Sequence, residues 1–247
     1  MTENLSVTVI GCSGTYSSTD SSCSSYLFET ATTSVLVDAG PGSSIELQKH
    51  IDLADLDAII VSHEHPDHWT ELPSLYHGFR YGIQRLGTPV YGTAGTKTLL
   101  DAACPEANAT TYDWQTIDAD SVLAIGDITF KFSLTDHPVE TLAVLAESGD
   151  RRIGYSADTG PDWSPESFGE PIDIFIYETT LPDDMEDMEI PHVSGRQAGE
   201  RATAANIGQL VITHVPPGHD RADRHDAASV TFDGPIAVAI PGLTLTA

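Results

Sequence analysis

Residues His63, His65, Asp67 and His68 put three imidazoles and a carboxylate within six positions, in the run Val61, Ser62, His63, Glu64, His65, Pro66, Asp67, His68. His63 and His65 are two apart, so in locally extended backbone they share a face. Pro66 then turns the chain and aims Asp67 and His68 elsewhere. Two donor pairs pointing two ways suit two metal ions. Imidazole nitrogen suits zinc, iron and nickel, and a hard carboxylate oxygen in the same cluster suits a hydrolytic centre that also holds water.

Such a cluster needs a rigid base, and the apolar run 56–61 reads as a buried strand that supplies it. Residues 5–10 alternate as a half-buried strand does and close on a turn with Gly11 and Gly14, either a loop at a site mouth or an ordinary strand end. The serine-rich segment 17–25 reads as a polar loop, and 26–30 with 34–38 as a hairpin. Asp38, beside Gly40 and Gly42, either orients a neighbouring loop by accepting N–H bonds or is a plain turn residue. Residues 43–50 read as a serine-capped helix ending at a solvent-facing His50, and 71–81 as a helix whose His77 lies at the surface or in the core. A strand at 89–91 enters a helix running through Leu100, and 113–124 is polar and irregular, anchored by Trp114.

The second half of the chain repeatedly ends a strand on a chemically active residue. The alternating strand 128–134 delivers His137, and the hairpin 142–146 with 152–156 runs out into Asp158. Strand 172–177 leads to Glu178, a mobile acidic loop at 183–189 precedes His192 and an alanine-rich helix at 197–206, and strand 209–213 ends in His214. Six of the ten histidines (His63, His65, His68, His137, His192, His214) thus lie at or just beyond apolar strands or in the loops between them, with Asp67 and Asp158. Strand ends are where open sheets put their sites.

Composition bounds the rest. A chain of 247 residues, 40% hydrophobic, suits one large domain or two small ones with an ample core. No apolar run reaches the length of a membrane span, and no basic start with an apolar run and cleavage site opens the sequence, so a cytoplasmic location is expected. Cys12, Cys23 and Cys104 are odd in number and lack metal-type spacing, which argues for buried or incidental thiols. Lys and Arg number 11 against 37 Asp and Glu, so the net charge is 11 − 37 = −26. A surface that acidic repels the phosphate backbone of a long nucleic acid, and the arginine pairs 151/152, 196/201 and 221/224 are too isolated to form a docking stripe.

The ordered set of Asp38, the 63–68 cluster, His137, Asp158 and His214 resembles the motifs of the metallo-β-lactamase superfamily and covers nearly the whole chain. The resemblance implies an α/β fold, a four-layer αββα sandwich forming a single hydrolase domain over residues 1–247, with a dinuclear site at one edge of two sheets. It assigns His63, His65 and His137 to one metal, Asp67, His68 and His214 to the other, and Asp158 to both. Oxygen-reducing diiron members have Glu where this chain has His65, which favours two divalent ions of the redox-inert zinc type, Zn2+ first, with Mn2+ or Fe as alternatives. Lactam-cleaving members often carry cysteine at the place of Asp158, which counts against that activity.

Glu178, Thr179 and Thr180, followed by His192, Val193 and Ser194, resemble the His-Glu-Ala-Thr and His-Ser-Thr motifs of the tRNase Z-like phosphodiesterase branch, with Tyr177 departing from the first histidine. By that resemblance Asp67 handles the water proton, His192 stabilises charge or protonates the leaving alkoxide, and Glu178 orients His192. tRNA-processing members carry a long basic arm where only a short hairpin separates His137 from Asp158. The expected substrate is therefore a small phosphodiester, first a 3′,5′-cyclic nucleotide, with a cyclic ribose phosphate close behind. Carboxylic-ester, thioester or lactone hydrolysis on the same ions is the alternative, and tRNA 3′-end cleavage or metal binding without catalysis ranks lower. Relatives of this kind are often dimers, which makes a homodimer an expectation by analogy.

Overall fold

The computed structural model describes residues 4–169 and 171–247, and the strands and helices counted here are those of the described residues. The first sheet takes β1 (Ser6–Gly11), β2 (Ser25–Glu29), β3 (Ser34–Val37), β4 (Ala58–Val61), β5 (Thr88–Gly92) and β6 (Tyr112–Thr116). The second takes β7 (Val122–Ile125), β8 (Ile128–Leu134), β9 (Leu142–Ser148), β10 (Arg151–Tyr155), β11 (Ile174–Glu178), β12 (Gln209–Thr213) and β13 (Ile236–Val238), before β14 (Thr244–Thr246) returns to the first. Strand order is β14-β1-β2-β3-β4-β5-β6 in one sheet and β13-β12-β11-β10-β9-β8-β7 in the other. Each sheet is antiparallel at one side and parallel at the other, the change falling at β3/β4 in the first and β10/β11 in the second.

Period-two alternation decides which residues meet. Val7, Val9, Tyr26, Phe28, Val35, Val37 and Ile60 of the first sheet pack against Phe130, Phe132, Val144, Ile153, Tyr155, Ile176 and Val211 of the second, forming one inner core. The intervening residues face outward onto helices. Leu27, Leu36, Ile59, Val61 and Val90 are covered by Leu47 of α1 (Ser43–Leu47), Trp69 of α2 (Pro66–Trp69), Leu72 and Leu75 of α3 (Leu72–His77), Leu100 of α4 (Ala94–Ala103) and Ala107 of α5 (Pro105–Thr110). On the far side Leu145, Phe175, Tyr177, Leu210 and Ile212 are covered by Ala198 and Ala202 of α6 (Gly195–Ala204) and Ala228 of α7 (Arg221–Ser229). Sheets with both faces covered are what near-continuous apolar strands such as residues 58–61 require. The layers are therefore αββα, as the family resemblance implied.

Several local expectations are corrected. Residues 113–124 are not irregular: they hold β6 and β7, and the exposed positions of both, polar in β6 and apolar in β7, follow from their being the edge strands of the two sheets. The helix expected over 71–81 runs only to His77 and passes into a π turn at Gly78–Gly82. Helix α1 ends at Leu47 and starts from Gly42 with φ 84°, without a side-chain cap, so glycine's freedom replaces the serine cap there. The acidic loop is tied down: it holds a 3-10 turn at Asp183–Met185, and Glu186 pairs with Arg196 and accepts from the Ser194 hydroxyl. Ser194 and Gln197 form a reciprocal capping box that starts α6 two residues earlier than expected.

Candidate functional site

All of the motif residues leave the same edge of the two sheets. His63 follows β4, His137 follows β8, Asp158 follows β10, Glu178 ends β11 and His214 follows β12. Two of these strand exits, and that of β3 at Asp38, are left-handed at residues other than glycine: Asp38 at φ 61°, Ala157 at φ 50° and His214 at φ 60°. Such backbone is strained and persists where the surroundings over-determine it. Gly40 lies where the chain crosses close behind Asp67: a Cβ there would stand 2.1 Å from the Asp67 carbonyl oxygen.

Two groups of donors result, His63, His65, His137 and Asp158 in one, Asp67, His68 and His214 in the other, each with its ligand atoms within 4.8 Å of one another. Asp158 faces both. Its Oδ1 lies 3.1 Å from His68 Nε2 and 3.4 Å from His214 Nε2, while Oδ2 lies 3.6 Å from His63 Nε2 and 3.9 Å from His137 Nε2. On the second side His214 Nε2 is 3.2 Å from Asp67 Oδ2 and 3.3 Å from His68 Nε2.

Hydrogen bonds behind the imidazoles set which nitrogen faces inward. The Ser62 hydroxyl donates to Asp38 Oδ2 at 2.9 Å, so it accepts from His63 Nδ1 at 2.9 Å and leaves His63 Nε2 a bare lone pair. His68 donates from Nδ1 to Asp38 Oδ2 at 2.7 Å. The Thr180 hydroxyl donates to Glu178 Oε2 at 2.7 Å and accepts from His214 Nδ1 at 2.8 Å. His137 donates from Nδ1 to the Pro191 carbonyl at 3.2 Å. Four Nε2 lone pairs thus point at one another and at two carboxylates, and His63 Nε2 and Asp158 Oδ1 are buried without a hydrogen-bond partner. Lone pairs facing lone pairs repel unless a proton or a cation sits between them. Burial pushes the His63 imidazole down to about 4, with His68 adding to the shift, whereas at His68 the carboxylates of Asp158, Asp38 and Asp67 overcome burial and raise it well above its ordinary value. Protons and divalent cations compete for such a donor set, and nitrogen and oxygen donors in this mix fit zinc-type ions.

Asp38 is more than a turn residue. Its carboxylate accepts from Ser62 N at 2.8 Å, the Ser62 hydroxyl, His68 and the Tyr155 hydroxyl at 3.0 Å, fully buried. Supporting partners of this kind fix ring orientation and donor strength at metal centres. Asp38 is marked in the sequence by its strand-end place beside Gly40 and Gly42, but nothing there assigns a role to Ser62, Tyr155 or the carbonyl of Pro191. Ser62 adjoins the motif and could have been suspected, whereas Tyr155 is invisible because only the packing of the two sheets brings it to Asp38.

His192 stands beside both groups and joins Asp158 and His214 in a third cluster. Its Nδ1 is 2.7 Å from Oε1 of Glu178, which is fully buried and held by Thr159 N at 2.9 Å and Thr180 N at 3.1 Å. Burial alone would lower the His192 pKa, but the charge and hydrogen bond of Glu178 outweigh it and raise the imidazole to about 9. Buried Arg224 donates to the Thr179 carbonyl at 3.0 Å and so anchors the turn that carries Thr180. His50 and His77 are exposed and lie outside the clusters, as do His219, near Arg224, and His225, which pairs with Asp226.

A fold of two covered sheets with this donor set at one edge defines a class, and the comparisons name it. Residues 33–215 match the model of the beta-lactamase superfamily domain. The chain belongs to the beta-lactamase superfamily and has the metallo-β-lactamase fold. An uncharacterized protein of Mycobacterium tuberculosis is 31% identical over 95% of this chain and 89% of its own length. The probable metallo-hydrolase YhfI of Bacillus subtilis is 29% identical over 96% of this chain and 98% of its own, and its crystal structure superposes with a TM-score of 0.90 at 27% identity, covering 99% of this chain and 100% of that one. A ribonuclease Z of Pyrobaculum neutrophilum is 28% identical over 83% of this chain and 84% of its own. No helix among the described residues is long and apolar enough to cross a membrane.

Proposed function

We propose that the protein is a metal-dependent phosphodiesterase acting on a small phosphodiester, first of all a 3′,5′-cyclic nucleotide. The observation that carries this reading is the His192–Glu178 pair standing beside the two donor groups, an acid placed next to a site that can hold cations. In it His63, His65 and His137 hold one divalent ion, Asp67, His68 and His214 a second, and Asp158 both, with zinc preferred. Ions bound there supply Lewis-acid polarisation of the attacked group and a bound water of lowered pKa. Asp67, whose Oδ2 accepts from Thr15 N at 2.7 Å, is fixed in position to hold the attacking water and take its proton. His192 donates a proton to the departing alkoxide, and Glu178 keeps that imidazole protonated and oriented. The names of the relatives, a metallo-hydrolase and a ribonuclease Z, are in keeping with hydrolysis of a phosphate ester. A small substrate is favoured by the two-residue turn at Gly149 and Asp150 that joins β9 to β10, where a polymer-gripping arm has no room, and by the net charge of −26. A single domain over residues 1–247, working in the cytoplasm, completes the proposal.

The test is hydrolysis of bis-(p-nitrophenyl) phosphate and 3′,5′-cyclic AMP by zinc- or manganese-loaded protein, beside Asp67→Ala and His192→Ala with metal content measured. General acid–base groups contribute roughly 100- to 10,000-fold, and a loss of that size in His192→Ala at unchanged metal content is the expected result. Fully metallated protein that cleaves neither diester but turns over thioesters or lactones would move the assignment to ester hydrolysis.

A further inference from the structure

Tyr16 is an exposed aromatic side chain, 57% accessible, on a loop whose backbone is unusually constrained. Tyr16 N donates to the Gly14 carbonyl at 2.7 Å, closing a three-residue turn around Thr15, which is left-handed at φ 67°. Turns of that hand are rare and strained for a residue other than glycine. The turn is held from the site side. Thr15 N donates to Asp67 Oδ2, and Gly14 presses on His214 so closely that a Cβ there would stand 2.5 Å from the His214 carbonyl oxygen and 2.9 Å from Nδ1. The Tyr16 hydroxyl, 3.4 Å from the Pro217 carbonyl, ties the loop to the segment just beyond His214. Between the same two segments lies a cavity of about 270 Å³ with Ser13, Ser18, Asp20, His219 and Arg221 on its walls.

We infer that Tyr16 is the aromatic platform on which the base of a nucleotide substrate stacks, with the adjacent cavity supplying polar contacts to the base or sugar. The inference rests on the phosphodiesterase reading and supplies the recognition element which that reading lacks. Consecutive Cα atoms are ~3.8 Å apart, so the ring hangs one residue from the backbone N–H that grips Asp67. An exposed aromatic side chain costs little rotamer freedom to immobilise, and its face accepts any base without a hydrogen-bond code. Asp20 and Asp220 set against Arg221 give the cavity walls mixed charge, suited to the polar, neutral edge of a base or sugar, so the fit is to a mononucleotide carrying its charge at the two donor groups and its neutral base at Tyr16.

Wild type, Tyr16→Ala and Tyr16→Phe, each loaded with zinc to equal content, are compared on 3′,5′-cyclic AMP and on a base-free ribose cyclic phosphate, with binding of 5′-AMP measured by calorimetry. Stacking on one aromatic ring corresponds to roughly 5- to 150-fold in affinity. Tyr16→Ala is expected to raise KM for cyclic AMP and Kd for 5′-AMP by a factor in that range, to leave the base-free diester unchanged, and Tyr16→Phe to behave as wild type. An equal effect on both diesters, or a Tyr16→Phe as impaired as Tyr16→Ala, overturns the inference by assigning Tyr16 to loop structure alone. If wild type cleaves no diester, the phosphodiesterase reading fails. The 5′-AMP titration then decides the platform separately: binding weakened in Tyr16→Ala upholds it, and absent or unaffected binding overturns it.

Discussion

The two donor groups differ in how they are held. Asp67, His68 and His214 are all buried, and each is held by a fixed group: Thr15 N on Asp67 Oδ2, the Asp38 carboxylate on His68, the Thr180 hydroxyl on His214. In the other group His65 and His137 are partly exposed, His63 leans on a neutral serine, and His137 leans on the Pro191 carbonyl of the loop that also carries His192. One half of the site is therefore pre-organised by the sheets, and the other half is completed by a loop. A charged partner polarises an imidazole more than a neutral one, and only His68, through Asp38, has one, so the Asp67, His68 and His214 group should be the tighter of the two.

Asp158→Ala should have the largest effect, because it removes the carboxylate that faces both groups and leaves buried imidazoles without it. Losing only a supporting partner costs about 10- to 100-fold in metal affinity or activity. Removing this shared donor should exceed ~100-fold and drop both sites below full occupancy by elemental analysis. Asp38→Ala comes next and tests the asymmetry directly: competition with a chelator should show one site weakened about 10- to 100-fold and the other much less, through Ser62 alone. Equal weakening of both would break the comparison. Gly40→Ala should follow, since its Cβ must displace the backbone behind Asp67. A destabilisation of about 1–3 kcal/mol is expected from overpacking, with metal lost first from the Asp67 side, as read by thermal melts of metal-loaded and metal-free protein.

The smallest effect concerns the loop. Burial opposes ionisation of Glu186, but its bonds to Arg196 and Ser194 hold its carboxyl below the ordinary value. A carboxyl lowered in the folded state stabilises that state fully above its unfolded pKa and loses the contribution as pH falls through the folded one. The protection factors of residues 181–194, taken against the intrinsic exchange rate at each pH, should accordingly fall more than those of β9 and β10 when pH is lowered from neutral through that lowered value. A uniform response would show that the loop is no more loosely attached than the sheets.

Much of this was legible because side-chain donors placed at strand ends leave a double trace: an apolar run, then a donor. His63, His65, Asp67, His68, His137, Asp158 and His214 all carry it. The supports are another matter. Tyr155 reads as one more core aromatic, and its hydroxyl meets Asp38 across 117 residues of sequence. The Pro191 carbonyl has no side chain to betray it. Edge strands β6 and β7 escaped because a strand with one partner needs no apolar alternation. Beyond Pro217 the apolar run 236–240 and the alternation of Leu243, Leu245 and Ala247 with threonines do carry the strand pattern of β13 and β14, whereas α7, with alanine as its only apolar residue type, emerges only from what it packs on.

That segment matters out of proportion to its length. Residues 236–246 supply the outer strand of both sheets, β13 beside β12 and β14 beside β1. They act as a clasp: without them β12 would become a free margin open to pairing with another chain, and His214, the final donor, would hang from that margin instead of from the interior of a sheet.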